Sequence, residues 1–103
     1  MEFRDIDDIE TDRFKMVDAI FESTDGKNFM SVTVTYLYED VYFTYEKDDS
    51  PVEVIEKDGI EYFIMGNLNT NLILWRNGSF ECLVNGTVSR DVLKHMIDSI
   101  PSK

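Results

Sequence analysis

The sequence predicts an α+β fold: an antiparallel sheet of about six or seven mostly sequential strands with one C-terminal helix packed on a face. Three observations lead there. From Pro51 to Ile100, apolar runs alternate with the pairs Asp58-Gly59, Asn77-Gly78 and Asn85-Gly86. Such pairs between apolar runs are the strongest local hairpin signal, because both central residues take φ > 0. Phe29 to Tyr38 alternates strictly, with Met30, Val32, Val34, Tyr36 and Tyr38 on one parity and Ser31, Thr33 and Thr35 on the other. That is a half-buried strand with one wet, threonine-rich face. Finally, Val92, Leu93, Met96, Ile97 and Ile100 recur at helical spacing behind Ser89, a good N-cap, with Asp91 in the first turn.

Each element has its own justification. Residues 1–12 form an acidic arm, poorly patterned and expected to fray, with Ile6 and Ile9 able to support a short helical turn. Residues 13–103 form the single domain. Arg13 to Glu22 carries apolar residues on both parities and reads as a strand covered on both faces, or bulged. Thr24 to Lys27 is a turn. Val41, Phe43 and Tyr45 alternate in a shorter strand, followed by a polar loop that ends at Pro51. Val52 to Glu56 pairs with Ile60 to Met65 across Asp58-Gly59. After a polar connection over Asn67 to Asn71, Asn71 to Trp75 pairs with Phe80 to Val84 across Asn77-Gly78. Pro101 stops the helix. Val92, Met96 and Ile97 are expected buried, and Arg90, Lys94 and His95 in water. Trp75 is expected largely buried, because both parities of its strand are apolar.

Composition bounds the function. With 103 residues, 43% hydrophobic and 13% aromatic, the chain can bury a real core. There is no apolar run long enough to span a membrane, and the acidic start Met1-Glu2-Phe3-Arg4-Asp5 lacks the h-region of a signal peptide. The net charge of −11 repels phosphate backbones and anionic membrane surfaces, so neither nucleic acid nor membrane insertion is expected. The plain reading of that charge is solubility, and the sharper one is a basic partner.

No catalytic or metal motif accompanies the fold. His95, the one histidine, falls on the polar side of the helix beside Lys94, with no nucleophile elbow anywhere in the chain. Asp5, Asp7, Asp8 and Glu10 resemble a calcium loop but lack its central glycine, and Met16 stands where its last glutamate would be. Cys82, the only cysteine, alternates with Phe80 and Val84 and reads as a small buried hydrophobe. Asn77-Gly78-Ser79 and Asn85-Gly86-Thr87 match a glycosylation pattern, but turn geometry already accounts for them. No catalytic residues, metal ligands or cofactors are therefore expected. The aromatics Tyr36, Tyr38, Tyr42, Phe43, Tyr45, Tyr62, Phe63 and Trp75 read first as core beneath the helix, with two or three left on the outer face. Tyr36, Tyr38, Tyr42, Tyr45 and Tyr62 are the candidate ligand or partner face.

Three runs carry a family likeness: Glu56 to Ile64, Leu74 to Leu83, and Gly86 to Leu93. They hold a glycine before the Tyr62 strand, Trp75 followed by a charged hairpin, and Ser89 four residues before Leu93. With these the segment Val54 to Ile100 resembles the domain-of-unknown-function family numbered 4367. Cys82 departs from the family, whose members often carry an aromatic near this position. The resemblance implies a soluble, non-enzymatic domain. It further implies a place outside the membrane, C-terminal to a transmembrane helix in anti-sigma-factor-like or lipoprotein-like proteins of Gram-positive bacteria. The expected function is an interaction or sensory domain that binds a protein, peptide or envelope ligand. The alternative is a free-standing acidic cytosolic inhibitor or immunity-like protein that binds a basic partner.

Overall fold

A single antiparallel sheet is the frame of the computed structural model, which describes residues 2–39 and 48–100. Its strands are β1 (Glu2–Glu10), β2 (Phe14–Glu22), β3 (Phe29–Leu37), β4 (Glu53–Lys57), β5 (Ile60–Asn67), β6 (Thr70–Asn77) and β7 (Phe80–Gly86), followed by the helix α1 (Arg90–Asp98). The order β1-β2-β3-β7-β6-β5-β4 makes two meanders, joined where β3 pairs with β7. This is the predicted class: neighbours are sequential except at that seam. The expected strand at Val41 to Tyr45 lies outside the described residues.

The turns refine the sequence reading. At the β4–β5 hairpin, Asp58 (φ 54°) and Gly59 (φ 80°) both take the left-handed region, as expected of Asp-Gly. At β6–β7, Asn77 pairs with Phe80, so the loop residues are Gly78 and Ser79. Glycine at the first central position, with φ 63°, suits a II′ geometry, one residue later than the expected Asn77-Gly78 centre. The polar connection after β5 is a tight turn in which Leu68 takes φ 56° and its N–H donates to Asp48 Oδ2 at 3.0 Å. Asn85-Gly86 is not a turn. Both residues lie within β7 and pair with Ser31 and Met30. Glycine serves there to let two backbones approach.

The acidic arm is the largest departure. Residues 2–10 neither fray nor form a helical turn; they make the edge strand β1, exposed at every position. An edge strand needs only its ladder to β2, so it requires no buried face and leaves no alternating pattern to read. Phe3 still meets Phe21 edge to face, with ring centroids 5.8 Å apart.

The core lies between α1 and the second meander. Ile64, Ile73, Val84 and Val32 form one cross-strand row, and Tyr62, Leu93 and Ile97 close over it. Ser89 caps the helix as expected, accepting a hydrogen bond from the Val92 amide at 3.2 Å. Ser89→Ala should cost about 1 kcal/mol, measured by urea denaturation. The buried helix face differs from the expected one. Leu93 and Ile97 are buried, Met96 is partly buried, and Val92 is 46% exposed. The helix is rotated from the expected orientation, and its charged side docks on β4 while staying partly exposed. Glu53 on β4 accepts from Arg90 Nη1 at 3.0 Å and pairs with Lys94 Nζ at 2.7 Å. His95 is exposed, as expected. At the other end, Lys57 Nζ donates to the carbonyls of Ile97 (3.0 Å) and Ile100, placing a cation on the negative end of the helix dipole.

These contacts predict a pH dependence. Hydrogen bonds from Lys94 and Arg90 hold the Glu53 carboxyl below its usual range. A group depressed in the folded state contributes stability that is full above its unfolded value, about pH 4.3, and lost as pH falls through the folded value. The melting-temperature gap between wild type and Glu53→Gln should therefore be widest at neutral pH and close in strong acid.

Trp75 is partly buried rather than largely buried: it sits at the margin of the core cluster and packs on Tyr62 with centroids 5.2 Å apart. Its truncation should cost less than that of a fully enclosed aromatic residue.

Candidate functional site

Strand β3 changes character along its length. Met30 and Val32 pack against the core. Val34, Tyr36 and Tyr38 have the same parity but stand 39%, 42% and 46% exposed. The reason is the reach of the helix, which rests on β5 and β6 and leaves this end of the sheet uncovered. The opposite parity was expected to be wet, yet Thr35 is buried.

Register assembles the exposed end. Tyr36 lies opposite Lys15 on β2 and opposite Phe80 on β7, and Lys15 lies opposite Glu10 on β1. Tyr36 and Phe80 meet edge to face with centroids 5.0 Å apart, and Tyr36 and Tyr38 do so at 5.6 Å. Phe80 is 46% exposed. Three aromatic rings thus form one contiguous surface, with Val34 beside them. Such rings offer large, stiff contact area and, for tyrosine, a polar tip.

The rim is charged. The Tyr38 hydroxyl donates to the Glu10 carboxylate, and this hydrogen bond holds the phenol above its usual pKa. Arg13 Nε donates to Glu39 Oε1 at 2.5 Å. The Tyr38 amide donates to the Arg13 carbonyl at 2.9 Å, which extends the β2–β3 ladder past the strand end and fixes Tyr38 at the patch margin. The arrangement provides an apolar platform with acceptors at its edge.

Of the five predicted face residues, the structure brings Tyr36 and Tyr38 together. Tyr62 does not belong with them: it is 2% exposed and sits in the core under α1, because its parity on β5 is the helix-facing one. Tyr42 and Tyr45 lie outside the described residues. Phe80 was missed. Its strand was legible, but its partner is Tyr36 on a strand remote in sequence, and only the β3–β7 pairing reveals it.

Elsewhere, Cys82 is partly buried, and burial followed by the neighbouring Glu81 charge pushes its thiol up. Among the described residues, no group of three or more His, Cys, Asp or Glu side chains is placed to hold a metal ion. No helix among them is long and apolar enough to cross a membrane.

A family model described as domain of unknown function (DUF4367) matches residues 3–100. Neither the curated proteins nor the solved structures include a match to this chain.

Proposed function

The chain belongs to the DUF4367 family, and for this member we propose a non-catalytic interaction or sensory domain that binds a protein or peptide through Tyr36, Tyr38 and Phe80. The observation that carries the reading is the contiguous exposure of these three rings at the end of the sheet that α1 leaves uncovered. Exposed apolar patches rimmed by polar groups mark interaction surfaces. We place the domain in an extracytoplasmic, anti-sigma-factor-like setting, as the likeness of Glu56 to Ile64, Leu74 to Leu83 and Gly86 to Leu93 to that family implies.

Selection of displayed peptides on the immobilised domain tests the reading. Selected binders should lose about tenfold or more in affinity, ~1.4 kcal/mol, on the double variant Tyr36→Ser/Phe80→Ser. Circular dichroism should report an unchanged fold. Binders indifferent to that variant would remove the patch from the proposal.

A second reading has its own support. The exposed strand β1 carries Glu2, Asp5, Asp7, Asp8 and Glu10 against the single Arg4, a surface suited to a basic partner. Binding through it should weaken steeply with added salt, whereas binding through the aromatic patch should change little.

A further inference from the structure

The sheet face turned away from α1 holds a cavity of about 350 Å³ whose lining includes Glu61, Phe63, Leu74, Arg76 and Glu81. These residues share a face because Phe63 opposes Leu74 and Arg76 opposes Glu81, while strand alternation puts Glu61 with Phe63 and Arg76 with Leu74. The volume lies within the range of small-ligand sites. Glu81 is 4% exposed. Its Oε1 lies 3.8 Å from Arg76 Nε, too far for a hydrogen bond. Its Oε2 is buried and, among the described residues, has no hydrogen-bond partner.

A buried carboxylate oxygen without a donor is costly, and such groups are normally satisfied. The charge around it favours a cation. Glu61 lines the same cavity, and Glu56 stands opposite Glu61 on β4. Among the described residues, Glu56, Glu61 and Glu81 thus set three carboxylates near the guanidinium of Arg76. The Oε1 side already faces the Arg76 guanidinium, and an ammonium can reach Oε2 as a point donor without needing fork geometry. Phe63 and Leu74 supply an apolar wall for a carbon stem. An ammonium at the end of an alkyl chain combines both features.

We infer that this cavity binds an alkylammonium group, such as a lysine side chain, with its ammonium on Glu81 and its methylenes on Phe63 and Leu74. The site is on the opposite sheet face from the Tyr36–Phe80 patch and stands independently of it; loss of either leaves the other in place.

Titrating the 15N-labelled full chain with N-acetyl-lysine-N-methylamide at neutral pH tests the inference. Saturable amide shifts are expected at Gly59 to Phe63, Leu74 to Arg76 and Glu81. The neutral norleucine analogue should produce none. Glu81→Gln should weaken binding by about tenfold or more, and Glu61→Gln should weaken it less. Should Glu81→Gln fail to fold, the comparison of lysine with norleucine on wild type decides alone. A lysine derivative that binds more tightly than n-butylamine assigns the site to a peptide side chain, and equal affinity assigns it to free amines. No saturable shift, an equal response to norleucine, or wild-type affinity in folded Glu81→Gln would overturn the assignment.

Discussion

Tyr62→Ala should destabilise the domain by about 3–5 kcal/mol, the range for deleting a fully enclosed aromatic ring. Tyr62 is 2% exposed and lies in one cluster with Ile64, Ile73, Val84, Leu93 and Ile97. It also packs on Trp75, so its removal opens a void and strips one face from a second large ring. Against a typical total of about 5–15 kcal/mol, that loss would leave a domain near its unfolding threshold. Urea denaturation monitored by Trp75 fluorescence reads both effects, since the indole should become wetter in the native baseline. A cost under about 1 kcal/mol would contradict the placement of Tyr62 in the core. Alkali offers a second readout. Burial, then the charges of Asp58 and Cys82, hold the phenol above its usual value. The stability so contributed is full below the unfolded value, about pH 10, and is lost as pH rises through the folded one.

Gly86→Ala should be the most damaging single-methyl addition in the chain. A Cβ at Gly86 would lie 2.3 Å from the Phe29 carbonyl oxygen and 2.9 Å from Met30 Cα. Both are backbone atoms and cannot rotate aside. The Phe29 carbonyl also accepts from the Thr87 amide at 3.0 Å, and the Phe29 amide donates to Thr87 Oγ1 at 3.1 Å. Relief of the clash must therefore spread the seam where β3 meets β7. Overpacking of this kind costs about 1–3 kcal/mol, and more where backbone must move. Gly86→Val should be worse still. Hydrogen exchange should show faster exchange along both β3 and β7, because the seam joins the two meanders. A stable Gly86→Ala variant with unchanged exchange would sink this account.

Residue-level patterns already carried the fold class, the Asp58-Gly59 hairpin and the Ser89 helix start, because each depends on neighbours within a few positions. A two-residue loop requires φ > 0 wherever it sits, and a cap acts within one turn. The strand of Tyr36 and Tyr38 was legible for the same reason. Tertiary structure alone decided the rest. It turned an unpatterned acidic arm into the edge strand β1, since a ladder partner can order a segment that buries nothing. It rotated α1 so that Arg90 and Lys94 met Glu53. It placed Tyr62 beneath the helix and left Tyr36 outside its reach, although both are tyrosines on alternating strands. It brought Phe80 to Tyr36 through the pairing of β3 with β7, strands distant in the chain, and set Glu81 with Leu74 and Phe63 on one face across three strands. Alternation tells which side chains share a face. Which face is covered, and by what, depends on strand order and on where a single short helix comes to rest.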